Sequence, residues 1–260
     1  MTNWIGGRMS RRAVWSHRLA RFAVPVLLVT ALAHRFALID TPTALTLLAI
    51  IWAGSMVALL LGLSAMRAIW RLGIAGTGRA FAGIVTTLPI LAVPLFFAGL
   101  LLRTPVLNDV TTDPADPPQF AAAASLRDSL ANAVAYPGAL AAERQLQAYP
   151  ELRPFRLAMP AGEAFPIVAE VARDQGWRVI ASEAPSGPEA GRIEAVASTL
   201  LMAFRDDVAI RVAPDGEGSR IDIRSASRYG SRDFGTNASR IRSFLFALRE
   251  RAAPTAGGER

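Results

Sequence analysis

Two stretches of this chain carry no charge for longer than any buried helix of a small soluble domain requires. Ala44 to Met66 and Ala80 to Leu102 are each 23 residues without Asp, Glu, Lys or Arg. A helix needs about 20 apolar residues to cross the ~30 Å of bilayer hydrocarbon. Both stretches are therefore expected to span a membrane, and the 52% hydrophobic content of the whole chain is concentrated there.

The charges divide along the same line. Residues 1–102 hold nine Arg against one acid, Asp40, whereas residues 103–260 hold 19 Arg against 20 acids. The net +7 thus belongs to the membrane region and gives no reason to expect nucleic acid as a partner. Arg8, Arg11, Arg12, Arg18 and Arg21 precede the first apolar run, and Arg67, Arg71 and Arg79 lie between the two long ones. Only Arg35 and Arg103 flank the other side. By the positive-inside rule the amino terminus and the 67–79 loop face the cytoplasm, and residues 103–260 lie across the membrane. The expectation is a multi-pass protein of a bacterial inner membrane with a periplasmic carboxy-terminal domain.

The first apolar segment has two readings. As a retained helix it runs from about residue 19 to 39, with Pro25 near its start and Arg35 snorkelling outward. As a signal peptide it has a basic start and Ala31-Leu32-Ala33 as an A-x-A-like cleavage site. We favour the retained helix, which gives three helices at about 19–39, 44–66 and 80–102. Gly54, Ala58 and Gly62 repeat every four residues, the small-residue spacing that lets helices approach closely. Packing among the spans is preferred to a seam with another subunit, and the glycine-rich 73–78 segment is a loop.

The absences also restrict chemistry. There is no Cys and no Lys, and both His, His17 and His34, precede residue 103. A soluble part without His, Cys or Lys has no Ser-His-Asp or Cys-His pair, no Schiff-base lysine and no ordinary zinc site. No metal or cofactor is expected, and any catalysis must rest on carboxylates, Arg, Tyr and hydroxyls.

Residues 104–119, with Pro105, Pro114, Pro117 and Pro118, read as an ordered Pro/Asp-rich connector. The domain proper then covers 120–251, with a flexible tail at 252–260. Its pattern predicts a weak helix to about Gln147, a strand at 155–159 and an amphipathic helix over 162–175. Strands follow at 177–183, 192–205, 208–213 and 219–229, and a last helix at 236–251 buries Ile241, Leu245 and Leu248. The fold class is a helical membrane region plus an α+β domain, in which an antiparallel sheet carries helices on one face. In the last hairpin the apolar alternation sets Ile210 opposite Ile223 and Arg211 opposite Asp222, with a four-residue loop at 215–218.

Leu107 to Pro118, and Asp206 to Arg228 continued through Ser231-Arg232-Asp233-Phe234-Gly235-Thr236-Asn237 to Arg240-Ile241, resemble a bacterial and plastid family catalogued as domain of unknown function 1499. The resemblance covers about residues 104–250. It implies an envelope location and one compact domain, and it supplies no catalytic residue, because the family has no established activity.

Two residue sets are candidate sites. Arg211, Asp222, Arg224 and Arg228 share the outer face of the last hairpin. They form either an anion site, with three Arg against one Asp, or a solvated ladder of cross-strand ion pairs. Asn108, Asp109, Asp113 and Asp116 lack the spacing of a calcium loop and read as turn formers that pin the connector, while Asp233 and Asn237 cap or orient the last helix. The leading expectation is a non-enzymatic envelope protein that contacts membrane lipids and binds an anionic lipid headgroup, glycan or protein segment. The alternatives are a carboxylate-dependent glycan hydrolase using Glu194, Asp207 and Asp222, and a structural subunit that joins a membrane-protein partner through Gly54, Ala58 and Gly62.

Overall fold

The computed structural model describes residues 8–253, and the chain divides into two units. The first holds the residues up to Leu102 together with Leu201–Ala203; the second holds Arg103–Leu200 and the residues from Phe204 on.

The first unit contains three helices long and apolar enough to cross a membrane: α1 (Arg11–Arg35), α2 (Thr41–Leu72) and α3 (Thr77–Leu101). They mark the chain as a membrane protein. α1 begins eight residues earlier than its apolar run suggests, because the Ser10 hydroxyl caps its first turn by accepting from the Ala13 N–H. α2 starts on Asp40, which accepts from the Thr43 N–H at 2.8 Å, and stops at Gly73 in the left-handed conformation. Ala31–Ala33 lies inside α1, and α1 packs against both other helices.

The packing is closest around Ser16. Its hydroxyl donates to the Ala58 carbonyl at 2.8 Å, and a Cβ at Gly83 would stand 2.2 Å from the Ser16 oxygen. Gly62 is equally constrained, its absent Cβ falling 2.7 Å from the Ile84 side chain. Ala58 and Gly62 therefore serve contacts within this bundle, whereas a side chain at Gly54 would meet nothing within 4 Å.

The second unit is a six-stranded antiparallel sheet with two helices on one face. Its elements are β1 (Asp109–Thr111), a 3₁₀ turn (Ala124–Leu126), α4 (Ala139–Ala148), β2 (Phe155–Leu157), α5 (Ala161–Asp174), β3 (Arg178–Glu183), β4 (Gly191–Ser198), β5 (Arg205–Asp215), β6 (Gly218–Ser227) and α6 (Thr236–Ala252). The strand order is β1-β6-β5-β4-β3, and β2 pairs with β6 beside β1. α5 and α6 cover Ile193, Val208, Ile210, Val212, Ile221 and Ile223, which alternate along β4 to β6 and are all but inaccessible. Trp177 stacks on Phe244 at 5.5 Å within this core. On α6 the fully buried aromatic is Phe244, one position before the expected Leu245, which is only partly buried; the inner stripe is Ile241, Phe244 and Leu248.

Ile210 does oppose Ile223, and Arg211 opposes Asp222. The pairing continues to Asp215 opposite Gly218, so the turn is two residues long and not four, with Gly216 taking the positive φ of +60° that its first position requires. The strand expected over 192–205 ends at Ser198. The turn falls at 199–204, with Ala203 at φ +54°, and Asp206 and Asp207 lie inside β5. Two adjacent acids read as a loop; they belong to a strand because buried Arg side chains partner both. The expected connector is part of the sheet too, since β1 pairs Asp109, Val110 and Thr111 with Ala226, Ser225 and Arg224. Of the expected tail, Ala252 still belongs to α6, and 254–260 lie outside the described residues.

Candidate functional site

Even-numbered residues of β6 and odd-numbered residues of β5 point away from the helices, and on a solvated sheet face they would be exposed. They are not. Residues 113–136 run across this face, and beneath them Asp207, Asp222 and Arg224 are 0% exposed and Arg228 is 5% exposed. The apolar part of this second layer is small: Phe120 and Ala123 against Ala209 and Ala226, with Val134 and Ile180 at the margin. Charge pairing fills the remainder.

Arg224 lies at its centre. Its guanidinium donates through Nε and Nη2 to both oxygens of Asp109, at 2.9 and 2.7 Å. It also donates to the carbonyls of Pro118 and Val134 and lies over the rings of Phe120 and Tyr136. Burial pushes the Asp109 carboxyl up from its ordinary range, and the Arg224 fork pulls against that rise. Asp207 is shared: Oδ1 accepts from Arg228 Nε and Nη2 at 3.0 and 2.6 Å, and Oδ2 from Arg127 Nε at 2.8 Å. Glu194 accepts the backbone N–H groups of Ala121, Ala122 and Ala123 at 2.8 to 3.0 Å, which fastens the covering segment to β4.

Toward the far end of β6, Asp222 lies between Arg211 and Arg220 at 2.8 and 3.2 Å. Asp113 reaches the same two Arg, and Asp116 adds a contact to Arg211 at 2.6 Å. Burial works against the Arg211 charge, but Asp222 and Asp116 outweigh it and raise its pKa. Asp113 also accepts the N–H groups of Ala115 and Asp116, forming an Asx turn. On the helix face, Asp233 accepts from the N–H groups of Gly235 and Asn237 at the start of α6, and burial pushes its carboxyl up against the pull of those bonds. The Asn237 amide donates to the Asn108 carbonyl and to Ser227, and its oxygen accepts from Ser225 and Arg240. Asn108 donates to the Gly230 carbonyl.

The structure thus brings all four proposed anion-site residues to one face, together with Asp109, Asp113 and Asp116. It also reverses the charge balance that made an anion attractive. Asp109, Asp113, Asp116, Asp207 and Glu194 join Asp222 there, against Arg211, Arg220, Arg224, Arg228 and Arg127. The residues that sequence reasoning missed are Arg127, Phe120 and Tyr136 in the cover. The signal was present in β6, where Arg220, Asp222 and Arg224 put three charges on one face of a single strand, with Arg228 one residue past its end.

A model of the family described as Protein of unknown function (DUF1499) matches residues 109–248, more than half of the chain. The chain belongs to this family. The match begins at Asp109, the first residue of β1 and the partner of Arg224, so it takes in the strand that the expected connector left outside the domain. No curated protein matches the chain. Among solved structures the DUF1499 chain is similar to TTHA0849 from Thermus thermophilus, at 15% identity over 40% of this chain and 97% of that one, with a TM-score of 0.23.

Two concave places lie near α4. A cleft of about 590 Å³ runs between Pro114-Ala115 and the α4 residues Ala139, Ala142 and Leu146, and a smaller hollow of about 140 Å³ is lined by Leu107, Asp109, Leu140 and Arg144. α4 is held down by Gln145. Its side-chain amide accepts from the Thr111 N–H at 2.9 Å and donates to the Thr111 carbonyl at 2.6 Å, closing the open edge of β1 as another strand would. Leu140 and Leu146 remain exposed beside the cleft.

Proposed function

We propose that this DUF1499 chain is a non-catalytic, multi-pass protein of a bacterial inner membrane, with a periplasmic domain that binds a protein segment along the apolar surface of α4. The observation that carries the non-catalytic reading is the state of the carboxylates. Glu194 is engaged by three backbone N–H groups, Asp207 by two guanidiniums and Asp222 by two more, and none of them lines either hollow. A glycosidase needs two carboxyl groups facing a shared, substrate-sized groove. An anionic ligand at Arg211, Arg224 and Arg228 would have to displace the carboxylates that hold them, whereas the α4 cleft is open. Placement in the periplasm is supported by the Arg asymmetry around the three helices.

Two measurements test this. A reporter active only in the periplasm, fused after Ala252, should be active, and the same reporter within 73–76 should be silent; the reverse pattern overturns the topology. A photo-crosslinking amino acid at Ala142 should capture a discrete partner in living cells while one at Glu217, at the remote hairpin, should not. Equal labelling at both positions would remove α4 as the docking surface.

A further inference from the structure

We propose that α1 holds an anionic phospholipid, its phosphate on Arg18 and Arg21 and an acyl chain along Phe22, Pro25 and Val29. Contacts within the helical unit set the levels of its three helices. Ala13 packs with Ala65 and Ala80, the Ser16 hydroxyl meets the Ala58 carbonyl and fills the space at Gly83, and Ala23 packs with Ile51 and Ile90. Arg18 and Arg21 lie between the second and third of these layers. At the same levels α2 and α3 are inside their uncharged stretches, 44–66 and 80–102. Counted from the Ala13 layer, where both stretches terminate, the two Arg stand about 8 and 12 Å further along the axis at 1.5 Å per residue. Stretches of that length match ~30 Å of hydrocarbon, so α1 alone carries cations at a level its neighbours keep free of charge.

Both Arg are exposed, and among the described residues neither forms an ion pair. The one acid of residues 1–102, Asp40, caps α2 at the other end of the helices. The counter-charge must therefore come from outside them. Trp15, Arg18, Phe22, Pro25 and Val29 recur at spacings of three and four residues, are all exposed and share one face, with Arg21 a turn from Arg18 on its flank. Arg18 lies over the Trp15 ring at 5.7 Å, and Trp is a residue of the headgroup level. The face thus runs from aromatic and cationic to apolar, the order of groups along a phospholipid. Two guanidinium forks a turn apart suit the several oxygens of a phosphate better than a single carboxylate of another helix. Helical side chains also lean toward the N-terminus, which carries both guanidiniums back toward the Ala13 layer and the headgroups. The site is separate from the α4 surface and holds whichever way the helices are oriented.

The full chain, reconstituted in phosphatidylcholine vesicles, is probed with small amounts of spin-labelled phosphatidylglycerol or spin-labelled phosphatidylcholine, and the motionally restricted fraction of each is measured. The native chain should restrict the glycerol lipid several-fold more than the choline lipid. Arg18→Gln with Arg21→Gln should bring the two close to equal, whereas Arg67→Gln with Arg71→Gln, near the end of α2, should keep most of the preference. Equal losses from the two pairs would overturn the proposal, since the preference would then be the ordinary attraction of charges at the helix ends. A native chain without preference overturns it too, and leaves an acidic helix of another protein as the counter-group. Inorganic phosphate at the concentration of the labelled lipid should displace none of it; displacement would assign the Arg pair to a free anion and overturn the lipid site. Should the double variant fail to insert, Arg21→Gln alone should still lose more of the preference than Arg71→Gln, and an equal loss again overturns the site.

Discussion

The two faces of the DUF1499 sheet are both covered, but by different physics. On the α5–α6 side, Ile193, Ile210, Ile221, Ile223, Phe244 and Leu248 make a dry aliphatic and aromatic core. On the other side, a segment with almost no regular structure is held over the sheet by five Arg and six acids and by only a handful of apolar contacts. Apolar burial is tolerant of small shifts because it has no direction. A buried guanidinium fork fixes the position of every carbonyl and carboxylate it touches. The comparison teaches that the helix side supplies the driving force for folding, while the ionic side fixes the course of a segment that has no helix or strand of its own to do so.

The largest effect expected from this difference comes from breaking one ion pair. Arg224→Ala leaves Asp109 charged, buried and unpaired, and removes the donor to the Pro118 and Val134 carbonyls. The cost should be about 3–5 kcal/mol in denaturant unfolding of residues 104–253, followed by the fluorescence of Trp177, the one Trp after residue 102. Replacing both partners, Arg224→Met with Asp109→Leu, should restore stability to within about 1 kcal/mol of the native domain or beyond it. A double variant as unstable as the single one would mean that the pair drives folding, and the contrast between the faces would fail.

On the helix side the same logic is absent, because there is no partner to strand. Leu248→Ala should cost about 2–5 kcal/mol through lost transfer energy and the cavity left behind, with no second substitution needed to interpret it. The cost should be the same at low and high salt. A loss below about 0.5 kcal/mol would show that α6 is not seated on the sheet.

The helix side was legible in the sequence and the ionic side was not, for one reason. Uncharged length marked the long apolar helices, period-2 alternation set Ile210 opposite Ile223, and 3.6-residue spacing gave Ile241 and Leu248 of the α6 stripe but Leu245 in place of Phe244. Charges on the remaining face carry no such pattern. A strand reading Arg-Ile-Asp-Ile-Arg looks alike whether its charged side faces water or a covering segment. The partners that decide the matter, Asp109, Asp113, Arg127 and Tyr136, lie about 80 to 115 positions away in stretches with little regular structure. The break between β4 and β5 was misplaced for a related reason. Asp206 and Asp207 have turn-forming composition, and Arg127, Arg228 and Arg240, all outside the adjoining strands, make a strand there tolerable.

The smallest expected effect lies in the cover itself. Tyr136 lies 5.5 Å beneath the Arg224 guanidinium, and its buried hydroxyl has no hydrogen-bond partner among the described residues. Its ring is useful as a face for the cation, and its oxygen is a polar group without a role, so Tyr136→Phe should keep the stacking and change stability by less than about 1 kcal/mol at neutral pH. The difference should appear in alkali. Burial pushes the Tyr136 phenol up to about 12 from its ordinary value of 10.0. With the folded pKa above the unfolded one, the unfolded chain releases this proton first, so the group's contribution to stability is fully present below pH 10 and is lost as the pH rises to 12. The native domain should therefore lose stability across that window more steeply than Tyr136→Phe, and phenolate absorbance should show one of its three tyrosines ionising only near pH 12. Parallel alkaline curves for the two proteins would show that the hydroxyl is solvated and that the cover is looser over Arg224 than its carbonyl contacts require.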